Sequence, residues 1–344
     1  MHVSYGVPLA PLTTLGIGGP ASSLAELHDP AEFPEFVREM RHSPTPPVCL
    51  GKGSNVLVGD RGCDLPVLRI ATRGIRIMGA MDDGRVLVEV QAGHSLWELV
   101  TELIDEGLVG MEMLAGIPGT TGATPVQNVG AYGQEVSDTL RSLEVWDWKL
   151  GRRAVLDANA CALGHRTSVF KKSRRWTVLS LLFALCRDEL STPVTYRSVA
   201  DELDVPLGSR VPPAEAAEAV LTVRRRKGMV LDSGEPDRRS TGSVFFSPEV
   251  GDPMATKLRR LGAPVSRFPD GSTRVSASWL IRQAGFGLNA PLTHGVRISS
   301  VHYTLVADDG ASAAGFREAV GIVLRQVLHR TGVLLTPEID FIGE

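Results

Sequence analysis

One stretch of the chain, residues 115–133, restricts the possible folds more than any other part of the sequence. It holds five glycines and no charged residue. Glycine lets the backbone approach a ligand closely, and successive backbone N–H groups in glycine-rich turns form concave anion sites. Such a surface favours a large, planar, polar cofactor that carries a pyrophosphate group. The alternative is a long structural Ω-loop that holds no ligand.

A second glycine-rich turn, residues 51–55, is expected to converge on the same ligand. It reads Gly-Lys-Gly-Ser-Asn and lies between predicted strands over 47–50 and 56–58. Neither glycine-rich segment has the spacing of the GxGxxG fingerprint or of the Walker pattern. A bound dinucleotide would therefore lie on a fold other than the Rossmann fold.

The rest of the pattern predicts an α+β fold, in which single helices separate strand-rich segments. Ser95 begins a helix whose capping box is closed by Glu98 and which ends at Gly107. The polar stretch 191–212 is predicted to be a linker. Further helices are predicted over 213–226, from about 276 and over 312–330, and further strands over 86–90, 301–306 and 333–342.

Size and charge exclude several classes of protein. With 344 residues the chain is expected to form two or three domains, and a formal net charge of −3 gives no general attraction for nucleic acid or anionic lipid. No uncharged apolar run is long enough for a membrane span, and no secretory signal is evident, so we expect a cytoplasmic protein. The four cysteines show no metal-ligand spacing. We therefore expect reduced, mostly buried thiols and no metal.

Six motifs occur in an order that resembles one known family. They are Thr14–Ala21, Leu50–Val58, Ala115–Val136, Gly164–Lys171, Gly242-Ser243 and Pro337-Glu338. In this order they resemble the UDP-N-acetylenolpyruvoylglucosamine reductases, flavoenzymes of peptidoglycan precursor synthesis. Tyr196 also matches the tyrosine-bearing insertion of the type I branch of that family.

The resemblance implies a particular domain organisation. An FAD-binding domain of the vanillyl-alcohol-oxidase (PCMH) type is expected in two subdomains, over 1–75 and 76–200. A C-terminal α+β substrate-binding domain is expected over 215–344, with the site between the domains, where pockets commonly form. We expect a monomer whose partners are a UDP-sugar substrate and NADPH.

The resemblance also implies the reaction and its catalytic residues. NADPH would reduce FAD, and a hydride would then pass from the flavin to the methylene carbon of an enolpyruvyl ether, giving UDP-N-acetylmuramate. Arg166 and Glu338 are expected to hold and polarise the carboxylate that absorbs the incoming charge. Ser243 is expected to protonate the adjacent carbon, with Lys227 as a candidate neighbour that stabilises its alkoxide.

Family positions further give two sets of binding residues. Those expected to bind FAD are Gly51, Lys52, Gly53, Ser54, Asn55, Gly116, Pro118, Gly119, Thr120, Gly122, Ala123, Gln127, Asn128, Gly130, Ala131 and Tyr132. Those expected to bind the substrate are Tyr196, Arg224, Lys227, Ser247 and His302. Arginine and lysine suit the two phosphates of a UDP-sugar.

Three positions depart from the family pattern near the expected substrate. His165 stands where the family usually has Tyr, Ser247 where it usually has Asn, and Val301 where many members have Lys. A related enzyme that reduces another enolpyruvyl or unsaturated nucleotide is therefore an alternative. A catalytically silent protein that binds flavin or a nucleotide sugar is a second alternative, and an alcohol oxidase on the same fold is a third.

Overall fold

The computed structural model describes residues 2–40, 43–231, 234–268 and 270–343, and its mixture of elements confirms the predicted α+β class. The strands are β1 His2–Pro8, β2 Pro20–Leu27, β3 Val48–Leu50, β4 Val56–Val58, β5 Val67–Ile70, β6 Ile75–Ala80, β7 Val86–Gln91, β8 Leu108–Val109, β9 Gly130–Ala131, β10 Gln134–Glu135, β11 Leu140–Asp147, β12 Arg152–Asp157, β13 Trp176–Arg187, β14 Val265–Arg267, β15 Thr273–Val275, β16 Pro291–Thr293, β17 Val296–Ile298, β18 Leu305–Ala307 and β19 Asp340–Ile342. The helices are α1 Phe33–Glu39, α2 Leu96–Asp105, α3 Arg197–Leu203, α4 Pro213–Arg226, α5 Asp252–Arg260, α6 Ala277–Gln283 and α7 Ala313–Thr331.

The chain forms two compact units, and it passes between them more than once. Unit 1 consists of residues 1–7, 21–53 and 64–226, and unit 2 consists of residues 8–20, 54–63 and 227–344. Two short stretches of the N-terminal third thus belong to the unit that holds the C-terminal part. The domain limits expected from the resemblance, 1–75, 76–200 and 215–344, stay predictions.

Unit 1 contains two main sheets. In the first, the order is β1-β2-β5-β3, and β2, β5 and β3 run parallel. The second is antiparallel with the order β12-β11-β13-β7-β6, and β8 pairs with the end of β13. Leu96, Leu99, Val100 and Leu103 line one face of α2, and all four are buried in the core of this unit. That spacing of three and four residues is the pattern of an amphipathic helix.

The helix predicted from Ser95 is confirmed, but its capping box is wrong. The Ser95 side chain accepts no hydrogen bond from the first turn of α2. Its hydroxyl instead accepts a hydrogen bond from Lys52 Nζ at 3.2 Å. Glu98 forms an ion pair with Arg73. Both side chains of the predicted capping box therefore bond to residues outside α2, and neither caps the helix.

The predicted linker over 191–212 is also wrong. This stretch contains α3 and lies inside unit 1, which continues to Arg226. Val194, Val199 and Ala200 are fully buried and pack into the same core as α4. The prolines and polar residues of this stretch therefore form a folded connection between β13 and α4.

Unit 2 has a three-stranded antiparallel sheet, β16-β17-β18, against which α7 packs. β4, from the N-terminal third, pairs in parallel with β19 at the C-terminus. The predicted helices over 213–226, near 276 and over 312–330 are confirmed, with Ser276 capping α6 through a hydrogen bond from Trp279 N. The strand predicted over 333–342 is regular only over β19, and the one predicted over 301–306 is shifted to β18.

The four cysteines are divided equally between exposed and buried positions. All four cysteines are free thiols, but Cys49 and Cys186 are exposed while Cys63 and Cys161 are buried, so the expectation of mostly buried thiols is only half right. Among the described residues, no helix has both the length and the apolar character needed to cross a bilayer.

Candidate functional site

The glycine-rich stretch 115–133 is docked on the segment that leads into α2. Backbone hydrogen bonds run from Thr121 N to His94 O at 2.8 Å and from Gly122 N to Ala92 O at 2.7 Å. Thr120 forms a further antiparallel bridge with Ser95. These bonds hold the stretch in a defined path, so its glycines are not merely spacers in a mobile loop.

Residues 51–53 of the second glycine-rich turn lie against the stretch 115–133 inside unit 1, and the convergence of the two segments on one ligand stays a prediction. A β-carbon placed on Gly51 would lie 2.7 Å from Thr120 Oγ1 and 3.5 Å from the Ala123 β-carbon. Gly53 adopts a φ of +59°, a conformation that glycine tolerates best. Lys52 is exposed between these two glycines, and its ammonium donates to Ser95. The two segments thus form a surface of glycine-rich backbone, and the Lys52 ammonium lies beside it. Such a surface suits a pyrophosphate.

Several polar side chains of the stretch are turned into the protein. Thr121 Oγ1 donates to His94 O at 3.0 Å, and Thr124 Oγ1 donates to Thr121 O at 2.7 Å. Asn128, predicted to contact FAD, is 1% exposed, and its amide bonds to neighbouring protein groups. These side chains hold the shape of the loop. The other residues expected to bind FAD, namely Gly116, Pro118, Gly119, Gln127, Gly130 and Ala131, lie on this same stretch, and their contacts with FAD stay predictions.

Arg166 lies at the second central position of a tight turn. Gly164 and Thr167 close this turn with reciprocal backbone hydrogen bonds of 3.1 and 3.3 Å. Arg166 has a φ of +54°, which is uncommon for a residue with a β-carbon. Its guanidinium donates to Gly130 O at 2.8 Å and, more weakly, to Asn128 O at 3.4 Å. The predicted catalytic arginine is thereby hydrogen-bonded to the stretch 115–133, which is called the flavin loop below because it holds most of the residues predicted to bind FAD.

In unit 1, one residue predicted to bind FAD, Tyr132, contacts two residues predicted to bind the substrate, Tyr196 and Arg224. The rings of Tyr132 and Tyr196 meet edge to face, with centroids 5.5 Å apart. Arg224, near the end of α4, is 8% exposed and hydrogen-bonds to Tyr132. Burial raises the pKa of Tyr132, although the positive charge of Arg224 acts in the opposite direction. Tyr132 therefore stays a neutral phenol at physiological pH, beside a cation.

In unit 2, Ser243 and Glu338 lie on two paired segments. Val244 O accepts from Glu338 N at 2.8 Å, and Phe246 N donates to Thr336 O at 3.0 Å. Ser243 is exposed and Glu338 is half-buried. The structure thus brings together two of the three residues predicted to be catalytic, although they are almost one hundred positions apart in sequence.

The last part of the turn 51–55 also reaches this pair. Asn55 Nδ2 donates to Glu338 O at 3.3 Å, and Asp340 N donates to Asn55 O at 3.0 Å. Ser54 and Asn55 belong to unit 2, whereas Gly51, Lys52 and Gly53 belong to unit 1. The five residues predicted to bind FAD in this turn are therefore divided between the two units.

The remaining predicted substrate residues are on unit 2. His302 is half-buried, and its Nδ1 lies 3.2 Å from Ser299 Oγ. Burial lowers the pKa of His302 to about 4, with Asp237 raising it and Lys227 lowering it further. Because the Ser299 hydroxyl donates to Asp237 at 2.5 Å, Nδ1 of the neutral imidazole is the donor to Ser299. His302 Nε2 is then an acceptor, and it has no hydrogen-bond partner among the described residues.

Some residues at the site carry no clear signal in the sequence. Glu135 accepts from Asn128 and packs over Gly130, whose carbonyl oxygen accepts from the Arg166 guanidinium. Asp237 carries the turn that presents His302. In the sequence, each of these two is an isolated acidic residue within or near a motif. Such a residue looks the same as a solvent-exposed one, and only its tertiary contacts distinguish it. Ser247 is exposed on the segment that follows Ser243, as its predicted role requires.

Two known families match separate parts of the chain, one after the other in the sequence. Residues 21–156 match the FAD binding domain family. Residues 235–342 match the C-terminal domain of UDP-N-acetylenolpyruvoylglucosamine reductase. The two matches agree with the FAD-binding domain of PCMH type and the C-terminal domain that the resemblance implied, and they confirm that part of the prediction.

Whole-length relatives carry the same description. A UDP-N-acetylenolpyruvoylglucosamine reductase of Salinispora arenicola is 40% identical, covering 98% of this chain and 95% of that protein. One from Saccharopolyspora erythraea is 43% identical, covering 97% of this chain and 94% of that protein.

A solved structure gives the same result for the fold. The crystal structure of UDP-N-acetylenolpyruvylglucosamine reductase (MurB) from Thermus caldophilus is 26% identical, with a TM-score of 0.65, and the match covers 99% of this chain and 98% of that one. Since sequence identity of about 40% extends over nearly the full length of several relatives, the chain belongs to the UDP-N-acetylenolpyruvoylglucosamine reductase family.

Proposed function

We propose that this chain reduces UDP-N-acetylglucosamine enolpyruvate to UDP-N-acetylmuramate, with Arg166, Ser243 and Glu338 as its catalytic residues. Membership of the family makes it an FAD-dependent oxidoreductase that uses NADPH in peptidoglycan precursor synthesis. The observation that carries the assignment of residues is the pairing of the Ser243 segment with the Glu338 segment in unit 2.

The residues present fit FAD. The meeting of the two glycine-rich segments, with Lys52 exposed beside them, provides close backbone approach and one cation for a pyrophosphate. Bound FAD, once reduced by NADPH, supplies the hydride for the carbon–carbon double bond. The chain's own residues have to orient the acceptor, absorb its developing charge and deliver a proton.

Arg166 and Glu338 are proposed to grip the carboxylate of the enolpyruvyl group. An enol ether is too electron-rich to accept hydride unless its conjugated carboxylate takes up the negative charge. A guanidinium is always protonated and matches a carboxylate in geometry, so Arg166 can stabilise that charge as it develops. Glu338 is proposed to polarise the same carboxylate from a second side.

Ser243 is proposed to be the proton donor. Its hydroxyl is exposed on a segment fixed by hydrogen bonds to residues 336–338. A serine hydroxyl is a weak acid, but the enolate-like intermediate is basic enough to accept its proton if a nearby cation stabilises the alkoxide. Lys227, the first residue after α4, stays the candidate for that cation.

The UDP portion is proposed to bind Arg224, Tyr196, Lys227, Ser247 and His302. Cationic groups suit the diphosphate. His302 adds a different capacity, because its neutral Nε2 accepts a hydrogen bond and so recognises an N–H or O–H of the ligand rather than a phosphate oxygen.

The three departures from the family pattern support one rival, a related enzyme that reduces a different enolpyruvyl nucleotide. His165 lies at the tip of the Arg166 turn, Ser247 is exposed near Ser243, and Val301 is exposed beside His302. All three lie outside the glycine-rich stretch 115–133 and close to residues proposed to bind the substrate, so they can alter substrate selection. A monomeric, cytoplasmic enzyme stays part of the proposal, and gel filtration tests the monomer.

Product analysis tests the proposal. The purified holoenzyme is incubated with NADPH and UDP-N-acetylglucosamine enolpyruvate, and the nucleotide is examined by mass spectrometry for the gain of two hydrogens. Ser243→Ala should slow the oxidation of reduced flavin by substrate at least about 100-fold while leaving flavin reduction by NADPH unchanged. No turnover of this substrate by the wild-type enzyme would refute the proposal, and equal slowing of both steps would remove Ser243 as the acid.

A further inference from the structure

Arg166 is held in a backbone conformation that it does not favour. At φ +54° its β-carbon crowds the following carbonyl, and glycine or asparagine is the usual residue at such a turn position. A backbone outlier of this kind persists only where its surroundings determine it. The groups that bond to the Arg166 turn and to its guanidinium therefore determine the position and orientation of that guanidinium.

Asn128 ties that turn to the flavin loop. Its Nδ2 donates to Gly164 O in the turn at 3.3 Å, to Glu135 Oε2 at 2.7 Å and to Ser137 Oγ at 3.1 Å. Its Oδ1 accepts from Ser137 N at 2.9 Å. Asn128 itself has a φ of +45° and is 1% exposed. One buried amide therefore joins three segments of the chain.

Glu135 supplies the charge in this arrangement. It lies opposite Gly130 in the β9–β10 pair, and Gly130 O is the acceptor of the Arg166 guanidinium at 2.8 Å. A β-carbon on Gly130 would come within 2.6 Å of Glu135 Cγ, so the carboxylate side chain lies directly over this glycine. Burial raises the pKa of Glu135, while the charge of Arg166 and the hydrogen bonds from Asn128 and Ser137 favour the ionised form.

We propose that Glu135 and Asn128 are positioning residues that fix the guanidinium of Arg166 for the substrate carboxylate. Asn128 locks the backbone of the Arg166 turn, and the Glu135 carboxylate orients the guanidinium from the side of Gly130. The inference rests on the proposed role of Arg166 and goes beyond it, because neither positioning residue contacts the substrate itself. Asn128 thereby acts through Arg166, whereas the sequence predicted that it contacts FAD.

The test compares two nucleotides that differ in the carboxylate. UDP-N-acetylmuramate carries it and UDP-N-acetylglucosamine lacks it, and calorimetry on the FAD-loaded enzyme measures the affinity for each. Glu135→Gln is isosteric and should weaken binding of UDP-N-acetylmuramate about 10-fold while leaving UDP-N-acetylglucosamine unchanged. The matched control is Glu144→Gln, because Glu144 forms an exposed ion pair with Arg153 on the antiparallel sheet of the same unit. Equal losses for both nucleotides, or no loss for either, would overturn the proposal.

A double-mutant cycle separates this inference from the proposed role of Arg166. If Glu135 acts through Arg166, the losses of affinity for UDP-N-acetylmuramate in Glu135→Gln and Arg166→Lys are not additive. The double variant then binds this nucleotide about as weakly as Arg166→Lys alone. Selective loss with Arg166→Lys but additive losses in the pair would overturn the inference and leave the role of Arg166 standing. No selective loss with Arg166→Lys would overturn both.

A second variant covers the case in which Glu135→Gln fails to fold. Asn128→Asp replaces the donor amide with a carboxylate, so it cannot donate to Glu135 or to Gly164, and it should give the same selective loss for UDP-N-acetylmuramate. Circular dichroism and the flavin spectrum confirm that the variant is folded and loaded. Retention of wild-type affinity for UDP-N-acetylmuramate in a folded Asn128→Asp enzyme would overturn the proposal.

Discussion

At the scale of single residues, Asp237 shows how a buried carboxylate organises a functional segment. Its side chain is 1% exposed and lies 2.8 Å from Arg297 Nη1. It also accepts from the hydroxyl of Ser299 and from the N–H and hydroxyl of Ser300. Burial alone would raise the pKa of Asp237, but the hydrogen bonds from Ser299, Arg297 and Ser300 outweigh burial and lower it. The turn that carries His302 depends on this ionised carboxylate.

Replacing Asp237 with Asn should therefore be costly at neutral pH. We expect the free energy of unfolding to fall by about 2 kcal/mol, because Arg297 loses a buried charged partner although it keeps its ion pair with Asp308. A lowered pKa stabilises the folded state above the ordinary aspartate pKa of about 3.9, and that stability is lost as the pH falls through the lowered value. Urea unfolding at several pH values should thus show the difference between Asp237→Asn and wild type narrowing below about pH 4.

The control for this experiment is Asp309→Asn. Asp309 is fully exposed in its ion pair with Arg239, so its loss should leave the unfolding free energy almost unchanged. A difference between Asp237→Asn and wild type that is the same at acidic and at neutral pH would contradict the stabilising role of the ionised Asp237 carboxylate.

Gly122 tests the packing of the flavin loop at the same scale. A β-carbon at Gly122 would lie 2.5 Å from the Ala92 β-carbon and 3.0 Å from Ala92 O, whereas one at Gly287 would meet nothing within 4 Å. We expect Gly122→Ala to displace the loop and to weaken FAD binding about tenfold, or about 1.4 kcal/mol. Fluorescence titration of the apoprotein with FAD measures this loss. Gly287→Ala is the control, and similar FAD affinities in the two variants would argue against the packing role of Gly122.

At the scale of the helix, the structure distinguishes serines that cap from one that does not. Ser276 accepts from Trp279 N at 3.2 Å and Ser312 accepts from Gly315 N at 3.0 Å, so both cap their helices. Ser95 stands at the same position of α2 but accepts from Lys52 instead. The three serines look alike in sequence and differ only in the tertiary partners that reach them.

This difference predicts different costs of substitution. Ser276→Ala should lower the free energy of unfolding by about 1 kcal/mol, the usual value for a lost cap. Ser95→Ala should cost less stability, but it should weaken FAD binding because Lys52 loses its anchor. Chemical denaturation and FAD titration of the two variants provide the comparison. Equal destabilisation by both substitutions would mean that Ser95 does cap α2.

The elements that follow from local sequence were predictable, and those that depend on tertiary partners were not. The sequence predicts both ends of helix α4 correctly, since Pro212 precedes it, Pro213 is its first residue and Gly228 lies just beyond its end. The chain after α7 looked like one long strand, but only Asp340–Ile342 finds a full partner, in β4. Likewise, the motifs predict Arg166, Ser243 and Glu338 as catalytic residues, but no local pattern could show that Glu135 packs over Gly130, the residue whose carbonyl oxygen accepts from Arg166.

At the scale of the whole molecule, unit 2 is built from three separate stretches of the chain. Leu15, Ile17 and Leu57, from the N-terminal third, are buried in its hydrophobic core. The carboxylate of Asp60 accepts from Ala313 N and Ala314 N at the start of α7, at 2.7 and 2.8 Å. An N-terminal carboxylate of this kind stabilises a helix.

A fragment of residues 227–344 should therefore not fold by itself. It would lack β4, the buried apolar residues of the N-terminal stretches and the Asp60 contact with α7, so apolar core surface would be exposed. We expect no cooperative unfolding transition by circular dichroism, although this fragment includes the whole matched C-terminal domain. A sharp transition with native-like stability would show that residues 8–20 and 54–63 are dispensable to the unit.

The colour of the flavin through one reaction cycle reports the proposed activity of the intact enzyme. NADPH is added without oxygen to the purified enzyme until the yellow colour is bleached, and UDP-N-acetylglucosamine enolpyruvate is then mixed in a stopped-flow instrument. We expect the colour to return at once and one UDP-N-acetylmuramate to form for each flavin. A reduced flavin that stays bleached with this nucleotide, or a purified chain that takes up no FAD, would contradict the proposed reaction.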